Sequence, residues 1–440
     1  MPEQKSPLKQ ILNIRREEWP LALLMFGYFF LVITSFWILK PLKKSAFITF
    51  YKEAGFDLWG WQLTGSQAEL IAKVLNMVVA IVAVTVFTLL VRSFRRQQLT
   101  YIFSAFFIVC YVLYTFVLDS AGDWTVWSFY LFGDLYSTLM VATFFAFLND
   151  SVEPGAAKRL YGLIGLGGVA GGAFGSTIVR AQIKSLSYAE WLWICLGIGV
   201  AIGLIAMLVG RRVEGFEPAE PEPEPEEAKE AENPALEGAR LVFRSRYLLA
   251  IVAIVGLYEM VSTIMDFQFT ATIEHYLSGE EIGVQFSTVY ALTNWVALFV
   301  QFFLTSFVMT RFGVGIALLF LPVAALAGSI GFMIFPALWI GSLLNTTDNG
   351  FSYSINQSAK EVLYVPTTRD EKYKAKAFID MFVQRFAKAL AVGLSLTITI
   401  VFAGFESVRW LSLLTGLILV LWIIAVRYVG RAFAEKEAAG

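Results

Sequence analysis

Cysteine and histidine are almost missing from this chain of 440 residues, which holds two cysteines, Cys110 and Cys195, and one histidine, His275. Both cysteines stand inside apolar runs, so neither a disulfide framework nor a cysteine metal site can be built. One imidazole leaves nothing for a histidine metal cluster or a histidine-based triad, and no resident metal or cofactor is expected. Charge is scarce too: 16% of the residues carry it, against about 25% in ordinary soluble domains. The 34 basic and 35 acidic residues leave a net charge of −1, without the basic excess that nucleic-acid binding needs. Hydrophobic residues instead make up 57% of the chain, and the mean hydropathy is +0.65. A water-soluble globule is excluded, and an all-α polytopic membrane protein is expected.

About 20 apolar residues are needed to cross the hydrocarbon core as a helix. Twelve such stretches are present, at 18–40, 66–92, 99–119, 125–149, 159–182, 189–210, 247–273, 283–310, 313–335, 337–360, 373–403 and 406–430. With the N-terminus in the cytoplasm, that side receives 24 Lys and Arg residues and the opposite side 7, while Lys73, Arg385 and Lys388 stand inside spans. Positive charge concentrates on the cytoplasmic side of membrane proteins, so both termini are expected there. The polar lead and the length of the first apolar run argue against a secretory signal.

Between the sixth and seventh spans lies Glu217–Glu232, EPAEPEPEPEEAKEAE. Alternating proline and glutamate favours a solvated polyproline-like extension, because proline breaks helices and the carboxylates repel. The expected organisation is therefore a polar N-terminus (1–17), a six-helix bundle (18–210), an acidic cytoplasmic linker (211–246), a second six-helix bundle (247–430) and a short cytoplasmic tail (431–440). Two six-helix bundles around a midplane cavity are the architecture of the major facilitator group.

Ionisable side chains inside a bilayer are costly, about 2.5–3.5 kcal/mol each on insertion scales, and they normally face a wet cavity or one another. Lys40, Lys43 and Lys44 close the first span on one helical face if the helix survives Pro41. Clustered ammonium groups in water-poor surroundings suit a polyphosphate. Asp134 lies in the fourth span, and Glu259 and Asp266 lie two turns apart in the seventh. Lys374, Lys376, Asp380, Arg385 and Lys388 run into the eleventh. Four-residue spacing lets Lys376 and Gln384 satisfy Asp380, whereas Arg385 and Lys388 need an acid on another helix or an anionic substrate.

Other patterns are structural. Gly162–Gly175 (GLIGLGGVAGGAFG) has neither the preceding strand of a dinucleotide fold nor the GK[ST] ending of a phosphate loop. Its Gly168/Gly172 and Gly171/Gly175 pairs have the spacing that brings membrane helices close together. Trp59, Trp61, Trp124, Trp127, Trp191 and Trp193 read as anchors at the membrane interfaces. No nucleophile–base constellation is visible, so an enzyme is not expected.

Several of these segments together resemble the ATP/ADP translocase family of nucleotide transporters, found in plastids and intracellular bacteria, and its shorter bacterial relatives. Leu39-Lys-Pro-Leu-Lys43-Lys-Ser-Ala-Phe47 is similar to the family's basic motif at the end of the first span, with Lys40 and Lys43 on its two cations and Lys44 where an aspartate is usual. Gly133-Asp-Leu-Tyr-Ser137 resembles an acidic-aromatic motif that places Asp134 on a functional glutamate. Tyr258–Asp266 resembles the pattern that ends in a second one, matched by Asp266. Lys360-Glu361, Tyr364, Pro366 and Lys374–Asp380 resemble the KE…Y.P…KGKAAID signature, and eight residues further on Lys388 takes the place of the family's second key lysine.

The resemblance implies a transporter that moves a nucleotide, ATP/ADP or another NTP/NDP, or a related phosphorylated anion, by exchange across a bacterial cytoplasmic membrane. Lys43 and Lys388 would contact phosphate, assisted by Lys40 and Arg385, with Asp134 and Asp266 pairing with those cations in the empty state. Two other readings stay open. One is a proton-coupled carrier of another anionic metabolite or lipid, with Glu259, Asp266 or Asp380 as the protonation site. The other is a non-transporting scaffold or sensor that binds partners through the acidic linker. The bilayer is the one partner the composition names, and no protein partner is legible.

Overall fold

The structure is a computed structural model, and it describes residues 14–120, 122–152, 154–213, 234–368 and 371–439. The acidic stretch 217–232, with most of the expected linker and of the polar N-terminus, lies outside the described residues.

Apolar composition makes helices the default, because a spanning segment must satisfy its own backbone hydrogen bonds where there is no water. In the first half these are α1 (Trp19–Ala54), α2 (Gly65–Ser93), α3 (Arg96–Val117), α4 (Asp123–Ser151), α5 (Pro154–Gln182) and α6 (Tyr188–Val213). A two-stranded hairpin, Phe56–Leu58 with Trp61–Leu63, joins α1 to α2. Its turn places Trp59 and Gly60 at φ +53° and +89°, the backbone of a two-residue hairpin loop. The short α7 (Pro234–Arg244) precedes α8 (Arg246–Tyr276). Then follow α9 (Glu280–Phe299), α10 (Ser306–Phe312), α11 (Val314–Ile334), α12 (Leu338–Phe351), α13 (Gln357–Val362), α14 (Lys376–Phe378), α15 (Gln384–Val401) and α16 (Glu406–Ala439).

Among the described residues, eleven helices are long and apolar enough to cross a membrane. The tenth expected span, 337–360, is helical but broken: a π-helical turn, Ser352–Asn356, separates α12 from α13. Asn345, Thr346, Thr347, Asp348 and Asn349 also dilute its apolar character. Further π-turns lie at Val300–Thr305, Glu371–Ala375 and Ile379–Val383. Each adds a residue to a turn and re-aims the side chains around it, which is why such turns gather at functional sites.

The chain forms two compact units. The first comprises the described parts of Met1–Phe47, Leu75–Pro223 and Gly283–Ala291; the second, those of Ile48–Val74, Glu224–Ile282 and Leu292–Gly440. Residues 48–74 thus join the unit built mainly from the second half of the sequence, and 283–291 join the other. The first unit's core includes Tyr28, Phe107, Tyr111, Phe144 and Trp191. Trp191 is fully buried, so it is a core side chain and not the interfacial anchor expected from sequence. The second unit's core gathers Leu70, Ile254, Ile264, Leu321, Leu344 and Trp422.

The glycine-rich α5 lies directly on α1. A Cβ at Gly167 would stand 2.5 Å from the Phe26 carbonyl oxygen, one at Gly175 2.7 Å from that of Thr34, and one at Gly171 would collide with that of Phe30. These atoms are backbone and cannot swing aside. Gly171→Leu is therefore expected to lower stability by at least the ~1–3 kcal/mol usual for overpacking. The thermal midpoint of the purified protein checks this, and an unchanged midpoint would show that α1 and α5 tolerate separation.

Candidate functional site

In the first unit the three lysines share α1, which continues through Pro41. Lys43 and Lys44 are each 4% exposed, too buried to be snorkelling to headgroups. Lys43 forms a salt bridge with Asp134 of α4. Asn76 of α2 donates its amide N–H to the same Asp134 Oδ2 at 2.6 Å. The Lys43 ammonium also lies 4.4 Å from the centre of the Tyr130 ring. Gly133 makes room for this arrangement, since a Cβ there would sit 2.6 Å from Lys43 Cδ. Lys40 is held differently: its ammonium lies 4.4 Å from the Trp37 ring and 4.8 Å from that of Tyr290. Lys44 stands 5.4 Å from the Phe286 ring. Ring faces attract a cation and hold its ammonium group in place.

In the second unit Asp266 of α8 accepts from Lys73 of α2 at 2.5 Å and from the Asn345 amide of α12 at 3.0 Å. Lys73 lies 3.6 Å from Glu69, one turn earlier on its own helix. Lys388 of α15 meets Glu259 of α8 at 3.3 Å, so the acid that sequence demanded for Lys388 comes from another helix. Arg385 is half-buried and makes no ion pair among the described residues. Asp380 accepts from Gln384 at 3.1 Å as its spacing predicts, whereas Lys376 goes to Glu361 at 2.5 Å rather than to Asp380. The π-turn at Ile379–Val383 disrupts the regular four-residue geometry on which that expectation relied.

A cavity of about 510 Å³ opens inside this second unit, lined among others by Glu259, Tyr353, Lys360, Glu361, Tyr364, Lys376 and Asp380. Of the residues that carried the signature resemblance, Lys360-Glu361, Tyr364, Lys376 and Asp380 converge on one chamber although the sequence spreads them over 21 positions, whereas Lys374 pairs with Glu237 at 2.7 Å. Tyr353 and Asp380 both sit on π-turns.

Sequence reasoning overlooked several polar groups. Lys73 was seen inside a span but given no role, and Glu69, Asn76, Asn345 and Asp348 went unremarked. Asp348 is 2% exposed and accepts from Ser262 at 2.6 Å. The usable signal was the spacing of Glu69, Lys73 and Asn76, four and then three residues apart, which puts all three on one face of α2.

Comparison with known proteins decides the family. The family model of the TLC ATP/ADP transporter matches residues 117–338 and 333–433, most of the chain. This chain belongs to the TLC ATP/ADP transporter family. As a TLC transporter it is a multi-pass membrane protein and not an enzyme. It is 21% identical over 443 residues to ADP,ATP carrier protein 1 of Rickettsia bellii, which covers 85% of this chain and 88% of the relative. It is 23% identical over 504 residues to ADP,ATP carrier protein 1 of Chlamydia muridarum, with 97% and 92% covered. The crystal structure of the nucleoside transporter NupG superposes with a TM-score of 0.62 at 12% identity, covering 94% of this chain and 98% of that one. At that identity the likeness is one of fold, and the TLC transporter described here is all-α and major-facilitator-like.

Proposed function

We propose that the substrate is a nucleotide, ATP/ADP or another nucleoside di- or triphosphate, or a closely related phosphorylated anion, moved by alternating access in exchange for a counter-substrate. The observation that carries this reading is the set of intramembrane pairs Lys43–Asp134, Lys73–Asp266 and Lys388–Glu259. Each holds a cation that a phosphate oxygen can take over. Leaving a desolvated charge alone costs about 3–5 kcal/mol, whereas trading a carboxylate partner for a phosphate partner is close to balanced. In the empty chain the pairs tie α1 to α4, α2 to α8 and α8 to α15. Phosphate loosens those ties, so the loaded carrier is the form that reorients, and exchange follows. Lys40 in the first unit and Arg385 in the second add further positive charge. The ADP,ATP carrier names of the relatives support the substrate class.

The membrane in this reading is the bacterial cytoplasmic membrane, with both chain ends on the cytoplasmic side, as the Lys and Arg distribution favours. Proteoliposomes test the exchange. Uptake of labelled ADP is expected only when the lumen holds unlabelled nucleotide, with no imposed proton gradient. Uptake into empty vesicles that follows a proton gradient contradicts exchange and favours a proton-coupled carrier acting through Glu259 or Asp380.

A further inference from the structure

The second unit's cavity does not have the chemistry of a phosphate site. Three carboxylates, Glu259, Glu361 and Asp380, line it against two lysines, Lys360 and Lys376. Lys376 is already engaged by Glu361 at 2.5 Å, and Glu259 by Lys388 at 3.3 Å. Lys360 sits in the field of Asp380, Glu259 and Glu361. With Lys388 counted, three cations face three carboxylates, and the lining offers a phosphate no excess of positive charge. Hydroxyl donors and a flat ring, by contrast, find what they need.

An ionised carboxylate is an acceptor only, with room for several donors. Asp380 is exposed and receives one amide N–H from Gln384 on Oδ1, leaving capacity for the hydroxyls of a sugar diol. Tyr353, 51% exposed, presents a large ring to the same cavity from another π-turn, and nucleobases stack on such rings with little regard to sequence. The volume of about 510 Å³ falls in the ordinary range for small-molecule pockets, roughly 300–1,000 Å³.

We infer that this cavity is the nucleoside subsite of the carrier: Asp380 accepts the ribose hydroxyls and Tyr353 stacks the base, while the phosphates are held outside it. The inference rests on the nucleotide reading above and adds to it a division of labour between sugar–base and phosphate recognition.

Equilibrium binding to the full chain in lipid nanodiscs separates the two, with ADP, 2′,3′-dideoxy-ADP and inorganic pyrophosphate as probes. The intact chain should bind ADP about tenfold more tightly than the dideoxy analogue, the effect of losing hydrogen bonds to a charged acceptor. Asp380→Asn should shrink that preference several-fold, and Tyr353→Leu should weaken both nucleotides by about tenfold. Neither change should move pyrophosphate affinity more than about twofold, whereas Lys43→Ala should weaken all three probes. Pyrophosphate affinity falling in step with ADP in the Asp380 and Tyr353 variants would overturn the subsite, as would unchanged ADP binding in both. If those variants are inert while Lys43→Ala still weakens pyrophosphate, the nucleoside subsite falls and the phosphate reading stands. If the intact chain binds none of the probes, both fall.

Discussion

Lys43→Ala is expected to reduce ADP counter-exchange at least about a hundredfold while the protein still inserts. The lysine is 4% exposed, fitted into the space that Gly133 leaves, and bonded to Asp134. Removing it has two separate consequences. Substrate loses a desolvated phosphate partner, and hydrogen bonds to charged groups contribute about 1.5–3 kcal/mol each. Asp134 also loses its counter-ion, keeping among the described residues the Asn76 amide at 2.6 Å, which should lower stability by up to ~3–5 kcal/mol. The double variant Lys43→Ala/Asp134→Ala tells these apart, because it removes both charges together. Its thermal midpoint should recover most of the single variant's loss while exchange stays abolished. A double variant that regains transport would show that Lys43 serves only to neutralise Asp134.

The second large effect concerns Lys73 and Asp266. Lys73→Asp alone sets a carboxylate beside Asp266, with Glu69 one turn away, and like charges in such surroundings should silence transport. Reversing the pair, Lys73→Asp with Asp266→Lys, restores one charge of each sign. The reversed lysine would receive the Asn345 amide, a donor that suits a carboxylate and not an ammonium. Recovery should therefore be partial, on the order of a tenth of the original rate. Exchange assays on the single and double variants read this directly, and a reversed pair as silent as either single variant would mean that the two residues act separately on substrate.

Why some of this was legible in the sequence and some was not follows from the range of the interactions. Span positions depend on local hydropathy, so eleven emerged where expected; the segment around Asn345–Asn349 departed because polar residues and a π-turn break the apolar run. The charges that matter were visible for the same reason, since Lys43, Asp134, Asp266 and Lys388 stand out against apolar neighbours. Their partners were not. That Asp266 takes Lys73, while Lys388 takes Glu259 from the same helix, depends on helix rotation and packing that no spacing rule encodes. Lys376 illustrates the opposite error: four-residue spacing pointed to Asp380, and a wider turn sent the side chain to Glu361. The convergence of Lys360, Tyr364 and Asp380 on one cavity likewise needs the fold.

A structure determined with ADP bound would examine the exchange of ionic partners most directly. The account predicts that Lys43 Nζ moves into hydrogen-bonding range of a phosphate oxygen and out of range of Asp134. Nucleotide bound while the Lys43–Asp134, Lys73–Asp266 and Lys388–Glu259 pairs all remain intact would contradict it.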